Sequence, residues 1–561
     1  MIDIKVNNYH GWSSEGGIHV CGRPCLDDTY YGADEARDEL SAIDGLEQFR
    51  DLLASVGGYF SLIVEKEQTV YAVTDHLNSK PLYFGESEQG PFISDDVPWM
   101  SDLFDISDSS EIAEVEHLTN RAIMNGQTRY PGIKRLPAGS LLVARSDDNS
   151  SQFQVEQYYQ PRTPTDIAIE RKDVGTVIDD FTTKVQAAFQ ELIKYADGRQ
   201  LVVPLSSGND ATLVALMLRR LGYDNVVCFT ANNCGNEVEP AERIANEIGY
   251  PWYSTDETHS DWRTLYESGA LDEYYQTVGL ISGDNPAFKY VQIKKLVERG
   301  VIADDAIFVP GHTANDVGRA IPPTFTEEGN VGEDEFRSAI KRDNLWLYAA
   351  EVHSQALRRR LLDRVLAGLG YSGGELTSAQ AINLYEDFRW DLYQNWVWNE
   401  SLIDYLGFEW RCPLLNKNLV EFWTETHPRW KRDQYAYKKY VKNLYEEETG
   451  STKPQRSDTN PSGYFNKMKK LLKSTPLERI LRELRYRRQW REYYDSDPRH
   501  GVLGEDRFYD WGMRPGFFAQ YIRLHRLGRV PIDSTSKDPS RLNDEFTYAF
   551  NQRGRLRIKN E

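Results

Sequence analysis

Ser206, Ser207, Gly208 and Asp210 stand together in the stretch VVPLSSGNDATLVALML (202–218), where an apolar run meets a small polar loop and then a helix-like pattern. Small residues between a strand and a helix aim backbone N–H groups and the positive end of the helix dipole at one point, which favours a phosphate. The two hydroxyls add donors, and Gly208 lets a backbone come close to an anion. Asp210 would repel a bare phosphate. It fits if a divalent cation rides on the phosphates, because Mg2+ takes one or two carboxylates together with phosphate oxygens. By its letters alone the loop is either such a cradle or the plain hinge of a buried strand–helix unit.

The surrounding pattern supplies elements to hold that loop. Residues 177–196 read as a helix, 201–205 as a short strand, and 212–221 as a helix stopped by Gly222. A strand over 225–230, a helix over 237–248 ended by Gly249, and a strand starting at Tyr253 follow, then a helix over 286–299 and a strand over 306–310. Strands alternating with helices predict a parallel sheet, and such sheets bind ligands beyond the carboxyl ends of their strands. The SSGND loop and residues 311–316, within PGHTAND, both fall at such ends.

Residues 1–160 have a different texture, mostly strands. YFSLIVE (59–65) and TVYAVT (69–74) predict a hairpin around the charged turn KEQ, and LLVA (141–144) a further strand after PAG. QPRTPTDIAIERK (160–172) reads as a linker. Beyond about residue 345 the chain reads as all-helical and rich in Trp, Tyr and Arg, and the basic segment 467–491 reads as a solvated helix on an acidic body in preference to a nucleic-acid or membrane contact.

At 561 residues the chain is expected to hold two to four domains, and its 40% hydrophobic and 12% aromatic content fits a folded protein. A net charge of -20 disfavours a general nucleic-acid binder. No apolar stretch approaches the roughly 18 residues of a membrane span, and the first residues lack a signal-peptide pattern. The five cysteines, Cys21, Cys25, Cys228, Cys234 and Cys412, are sparse and odd in number, which predicts reduced thiols in a cytoplasmic protein. Cys21 and Cys25 have no second pair at metal-ligand spacing.

LSSGNDATLVA resembles the LSGGxDSxLVA pyrophosphatase loop of the asparagine synthetase family. In the family's order follow AERIANEIG (241–249), PGHTAND at the place of a second phosphate loop usually written SGEGxDE, and LGFEWRCPLLNKNLVEF (406–422), which is similar to the family's E-x-R-x-P-F-L-D-x-x-L-V-E-F segment. Upstream, 56–85 and RLPAGSLLV (135–143) resemble its glutamine amidotransferase domain. The likeness covers roughly residues 17–465. It implies a fold of α+β and α/β type: an Ntn-hydrolase-like (αββα) domain at 1–160, a PP-loop adenine nucleotide α-hydrolase-like parallel-sheet domain at 173–465, and a helical extension at 466–561.

The resemblance also implies a chemistry. ATP and Mg2+ would bind through Ser206, Ser207, Gly208 and Asp210 on the first loop and Gly311, His312 and Asp316 on the second, with Asp210 on the metal. A carboxylate, aspartate by family default, would be adenylated with release of pyrophosphate, and ammonia or another amine would displace AMP. A late lysine that stabilises the leaving charge falls on Lys453 or Arg456, with Lys438 and Lys439 as rivals. Glu409 and Arg411 fall on the E-x-R motif, as substrate contact or structural ion pair. The expected partners are a small-molecule carboxylate and ammonia or an amine, with no nucleic acid and no membrane, and a homodimer as the candidate assembly. A non-catalytic relative that keeps the fold as a binding module is the alternative.

Several positions depart from the family pattern. Its glutaminase uses a cysteine directly after the initiator Met, whose freed amine activates its own thiol; here that residue is Ile2. The amidotransferase-like domain is therefore expected to lack glutaminase activity. Ser207 and Ala211 stand where the family has Gly and Ser, with a strain of about 1 kcal/mol expected at Ser207 if the loop needs positive φ. His312 and Asn315 replace acidic residues of the second loop, and Asn416 replaces an Asp.

Overall fold

The computed structural model describes residues 2–454, apart from 27–28, 44, 105–109, 111, 114–115, 118–121, 147–150, 164–172, 232–236, 279–281, 283–286, 312–320, 327–328, 345–354 and 398–399, together with 548–551 and 555–558.

In the first 160 residues, alternation with period two decides the layering. One sheet carries β1 (Asp3–Lys5), β5 (Tyr83–Ser87), β6 (Gly90–Ser94) and β7 (Ile133–Arg135). Their order is β1-β6-β5-β7. The other carries β2 (Ile18–Leu26), β3 (Gly57–Lys66), β4 (Thr69–Thr74), β8 (Ser140–Ser146) and β9 (Ser151–Gln157), in the order β9-β8-β4-β3-β2, extended by Ser13–Glu15 and Thr29–Tyr30. Ile63, Ala72 and Leu142 point to the first sheet and meet Phe84 and Ile93. Their neighbours Leu62, Val64, Val73 and Val143 point the other way, onto Leu40, Phe49 and Leu53 of helices α1 (Ala33–Ser41) and α2 (Leu46–Ser55). A short helix, Val97–Asp102, covers the outer face of the first sheet through Val97 and Met100. The layers therefore run helix, sheet, sheet, helix. The β3–β4 hairpin forms where expected, but its turn is tighter than KEQ: pairing continues to Lys66 and Thr69, and Glu67 takes φ 52°, as a two-residue hairpin turn requires.

The second half is built on five parallel strands, β10 (Leu201–Pro204), β11 (Val226–Ala231), β12 (Trp252–Thr255), β13 (Ile307–Phe308) and β14 (Glu409–Trp410), ordered β12-β11-β10-β13-β14. The helices that flank the strands include α3 (Val174–Ala196), α4 (Asn209–Arg220) and α5 (Val238–Ile248), followed later by α6 (Lys417–Glu425) and α7 (Tyr435–Thr449). Every residue of α4 from Asp210 to Leu218 is buried. The run ATLVALML is apolar all round because the helix is enclosed by the sheet, α3 and α7.

Two expectations need correction. The region after 345 is not all-helical: Glu409–Trp410 adds the fifth strand to the parallel sheet, and Leu376–Thr377 pairs with Asn330–Val331. Within 466–561 the described residues, Tyr548–Asn551 and Arg555–Ile558, form an antiparallel pair, not helix.

Strand order places the loops. The chain moves outward from β10 to β12 on one side, then returns to β13 on the other, so its direction reverses between β10 and β13. In an open parallel sheet that reversal leaves a crevice at the carboxyl ends. The two loops that border it are the ones following Pro204 and Phe308.

Candidate functional site

The first loop begins where Leu205 N donates to Phe229 O at 2.8 Å and ends where Gly208 opens α4 as its N-cap, with φ -62° and ψ 156°. Thr212 Oγ1 donates back to Gly208 O at 2.7 Å. Neither Gly208 nor Ser207 takes a positive φ, so the strain anticipated at Ser207 does not arise. The second loop lands directly on the first. A Cβ placed on Gly311 would lie 2.5 Å from Ala211 N and 2.7 Å from Asp210 C. Gly311 therefore packs backbone on backbone against the first turn of α4, and only glycine fits.

Charged groups converge from three other directions. Glu237, which opens α5, accepts from Ser207 N at 2.9 Å and from Ser207 Oγ at 2.5 Å. Ser207 thus does not replace the hydroxyl missing at Ala211; its own is engaged by Glu237. Lys453, four residues past α7, donates its ammonium to Ser207 O. Burial pushes the Lys453 pKa down, and the nearby Glu237 and Asp210 carboxylates oppose that shift without cancelling it. Asp210 is 6% exposed and accepts a hydrogen bond from the fully buried Tyr437 hydroxyl of α7. Ser206 and Gly208 remain accessible at the loop tip, and Gly208 N donates to Ser206 Oγ at 3.3 Å.

Of the residues singled out in the sequence, the structure brings together Ser206, Ser207, Gly208, Asp210, Gly311 and Lys453. His312, Asp316 and Arg456 lie outside the described residues. Glu409 is placed elsewhere. It pairs level with Ile307, itself level with Leu201, at the amino ends of the strands. That is about 16 Å along the strand direction from Ser206. Arg199 holds it at 2.6 Å, Arg411 at 3.6 Å, and the Tyr195 hydroxyl donates to it. Burial would raise its pKa, but Arg411, Tyr195 and Arg199 together hold the carboxyl below its usual range. Asn416 caps α6 through Asn418 N at 3.0 Å and donates to Glu191 at 2.7 Å, a structural task. Lys438 points to solvent.

In the first domain the Ile2 side chain is buried in the apolar layer between the two sheets, beside Ile63 and Ile93. Cys21 donates its thiol to His10 O at 3.1 Å, and burial pushes its pKa far up, the reverse of what a nucleophilic thiol needs.

Glu237 and Tyr437 were not singled out by sequence reasoning. Glu237 carried one usable signal, a carboxylate opening the helix after the strand adjacent to the loop strand. Tyr437 carried none, since its bond to Asp210 spans 227 positions.

These residues supply one small-residue loop at a helix N-terminus, the carboxylates of Asp210 and Glu237, and one ammonium tied to the loop. Among the described residues no group of three or more His, Cys, Asp or Glu is placed to hold a metal by itself. Mg2+ that accompanies a polyphosphate takes one or two carboxylates and draws its other ligands from phosphate and water. Asp210 fits that single-carboxylate role.

No family model matches the chain. The tRNA-specific 2-thiouridylase MnmA of Lactobacillus johnsonii is 26% identical over 159 residues, covering 26% of this chain and 42% of that protein. Its counterpart in Lactobacillus gasseri is 25% identical over the same length, and that of Bacillus velezensis 29% identical over 91 residues, 14% of this chain and 24% of that protein. The chain thus spans less than half the length of these relatives. Among solved structures, glutamine phosphoribosylpyrophosphate amidotransferase from B. subtilis, complexed with ADP and GMP, is 11% identical with a TM-score of 0.18, covering 64% of this chain and 71% of that one. In these terms the chain is similar, over a limited stretch, to the tRNA 2-thiouridylases.

Proposed function

We propose that the chain is an ATP-dependent carbon–nitrogen ligase of asparagine-synthetase type, which adenylates a carboxylate and releases AMP and pyrophosphate. The observation that carries this reading is the meeting of Ser206–Gly208, Asp210, Gly311 and Lys453 at the point where strand order reverses. ATP with Mg2+ would supply the electrophilic phosphorus and the leaving pyrophosphate. Ser206, Ser207 and Gly208 would receive phosphate oxygens at the positive end of α4, and Asp210 would hold the cation. The Lys453 ammonium, kept beside the loop by Ser207 O, would stabilise negative charge as it builds on the departing group. The order of motifs shared with asparagine synthetases makes aspartate the first acceptor to try. With Cys21 and Cys25 buried and the Cys21 thiol held protonated by burial, ammonia or another amine is the expected nitrogen source, not glutamine.

The similarity to tRNA 2-thiouridylases favours a second reading, ATP-dependent modification of a tRNA. Sulfur transfer needs an accessible thiol; among the described residues Cys21, Cys25, Cys228 and Cys412 are all buried, and Cys234 lies outside them. The net charge of -20 also opposes docking of a polyanion. A small carboxylate is therefore the preferred substrate.

ATP–pyrophosphate exchange on the purified chain decides the matter. Exchange dependent on a carboxylate such as aspartate is expected. Absence of both exchange and ATP binding across a carboxylate panel would reject the ligase reading, and ATP turnover dependent on tRNA would favour the second.

A further inference from the structure

We propose that Glu237 is a built-in occupant of the loop's anion seat, and that a polyphosphate ligand binds by displacing it. The inference rests on the reading of residues 206–210 as a polyphosphate loop and adds to it a residue that sets which anions the loop accepts.

One oxygen, Glu237 Oε2, takes both the backbone N–H and the hydroxyl of Ser207, at 2.9 and 2.5 Å. A phosphate oxygen at this loop would use the same two donors, and charge-assisted bonds of this kind are about twice as strong as neutral ones. A carboxylate and a phosphate cannot both hold them. The bond is not a by-product of helix capping, because the Glu237 side chain makes no capping hydrogen bond to α5. Its reach goes sideways, from the start of α5 to the neighbouring loop after β10.

The same contact explains the serine at position 207. A glycine at position 207 would offer one donor to Glu237; serine offers two. Lys453, which feels both Glu237 and Asp210, offsets one of the two negative charges at the occupied seat. A monoanion brings no more charge than Glu237 already provides, so it gains little by exchange. A polyphosphate carrying its own cation brings several charges and a partner for Asp210, and displaced Glu237 still has the Lys453 ammonium beside it. The seat therefore selects for polyphosphates over single phosphates.

The test is calorimetric titration of the full chain with Mg2+ and inorganic pyrophosphate, and separately with inorganic phosphate, for the wild type, Glu237→Gln, Glu237→Ala and Glu237→Asp. Removing a charge-assisted competitor should tighten pyrophosphate binding about tenfold or more in Glu237→Gln and Glu237→Ala, and should bring phosphate binding into range. Glu237→Asp keeps the charge but falls short of Ser207, so it too should bind more tightly than the wild type. Circular dichroism and melting of each variant confirm that the fold is intact. Tightening in Glu237→Gln with none in Glu237→Asp would show simple charge repulsion and overturn the proposal. Equal or weaker binding in all three variants, with a wild type that binds pyrophosphate, would overturn the proposal and leave the ligase reading standing. No binding of ATP or pyrophosphate by any form would overturn both.

Discussion

Two lysines, Lys453 half-buried and Lys431 fully buried, show how differently the same side chain is used. Lys453 sits among Glu237, Asp210 and the Ser207 carbonyl, where a fixed positive charge is useful to a departing anion. Lys453→Ala should lower carboxylate-dependent ATP–pyrophosphate exchange by about a hundredfold or more, with a much smaller change in ATP affinity. Lys453→Arg should not restore it, because the planar guanidinium cannot reproduce a point charge on one carbonyl. Loss of ATP affinity with an unchanged exchange rate in the bound state would show that Lys453 binds and does not assist. Lys431 is the contrast. It is fully buried, its ammonium reaches Thr424 O at only 3.4 Å, and burial pulls its pKa down to about 8 despite Glu386. The folded protein then holds fewer protons than the unfolded chain between pH about 8 and the ordinary lysine value, so stability rises with pH across that window. At pH 7 burying the charged form costs roughly 3 kcal/mol. Lys431→Met should raise the melting temperature at pH 7 and flatten the dependence on pH between 8 and 10; a lower melting temperature would mean that the ammonium has a stabilising role.

At the scale of elements, the parallel sheet was legible because its strands alternate with helices that carry their own stop signals, such as Gly222 and Gly249. The layered first domain was legible in part, since YFSLIVE and TVYAVT alternate strongly, although which face meets which sheet depends on partners 50 or more residues away. β14 escaped because two residues in FEWR make a strand only when β13 lies alongside. Glu409 was misleading for the same reason: a motif gives the residue but not the end of the sheet at which it lies. The junction of the two loops was legible only as a pair of strand ends, and its tightness appears at Gly311. Gly311→Ala would drive a methyl into the Ala211 backbone, where no side chain can rotate away. Stability in urea should fall by about 1–3 kcal/mol, and ATP affinity should fall with it, because the first turn of α4 carries Asp210. An unchanged urea midpoint would mean that the second loop swings clear of α4 in solution.

At the scale of the whole molecule, the two halves are joined by polar bonds that neither half can satisfy alone. The Tyr59 hydroxyl from β3 donates to Cys412 O at 3.2 Å and accepts from Cys412 N at 2.9 Å. His76 Nε2 meets Leu415 O at 3.2 Å, and the wholly buried Arg135 pairs with Asp391. Lys80 reaches Asp404 at 2.6 Å, with the two side chains 14% and 11% exposed. Burial alone would lower the Lys80 pKa, yet Asp404 outweighs it and holds the ammonium above its ordinary value. The stabilisation is therefore fully present below the ordinary lysine pKa and is lost only as pH rises through the higher folded value. Breaking such a pair on one side leaves an uncompensated charge in a nearly dry interface, which typically costs 3–5 kcal/mol, whereas replacing both partners by apolar groups is often neutral or better. Asp404→Asn should therefore lower the melting temperature at pH 7 clearly, Lys80→Met somewhat less, and the double variant Lys80→Met with Asp404→Leu should recover most of the loss, a coupling read directly from the cycle. Because the same bonds link the halves, calorimetry of the wild type should show one joint transition for the two domains, and Asp404→Asn should shift that transition without dividing it. Additive losses in the double variant, or separate melting of the two halves in the wild type, would mean that Lys80 and Asp404 stabilise each half on its own and that the first half is an independent passenger beside the loop.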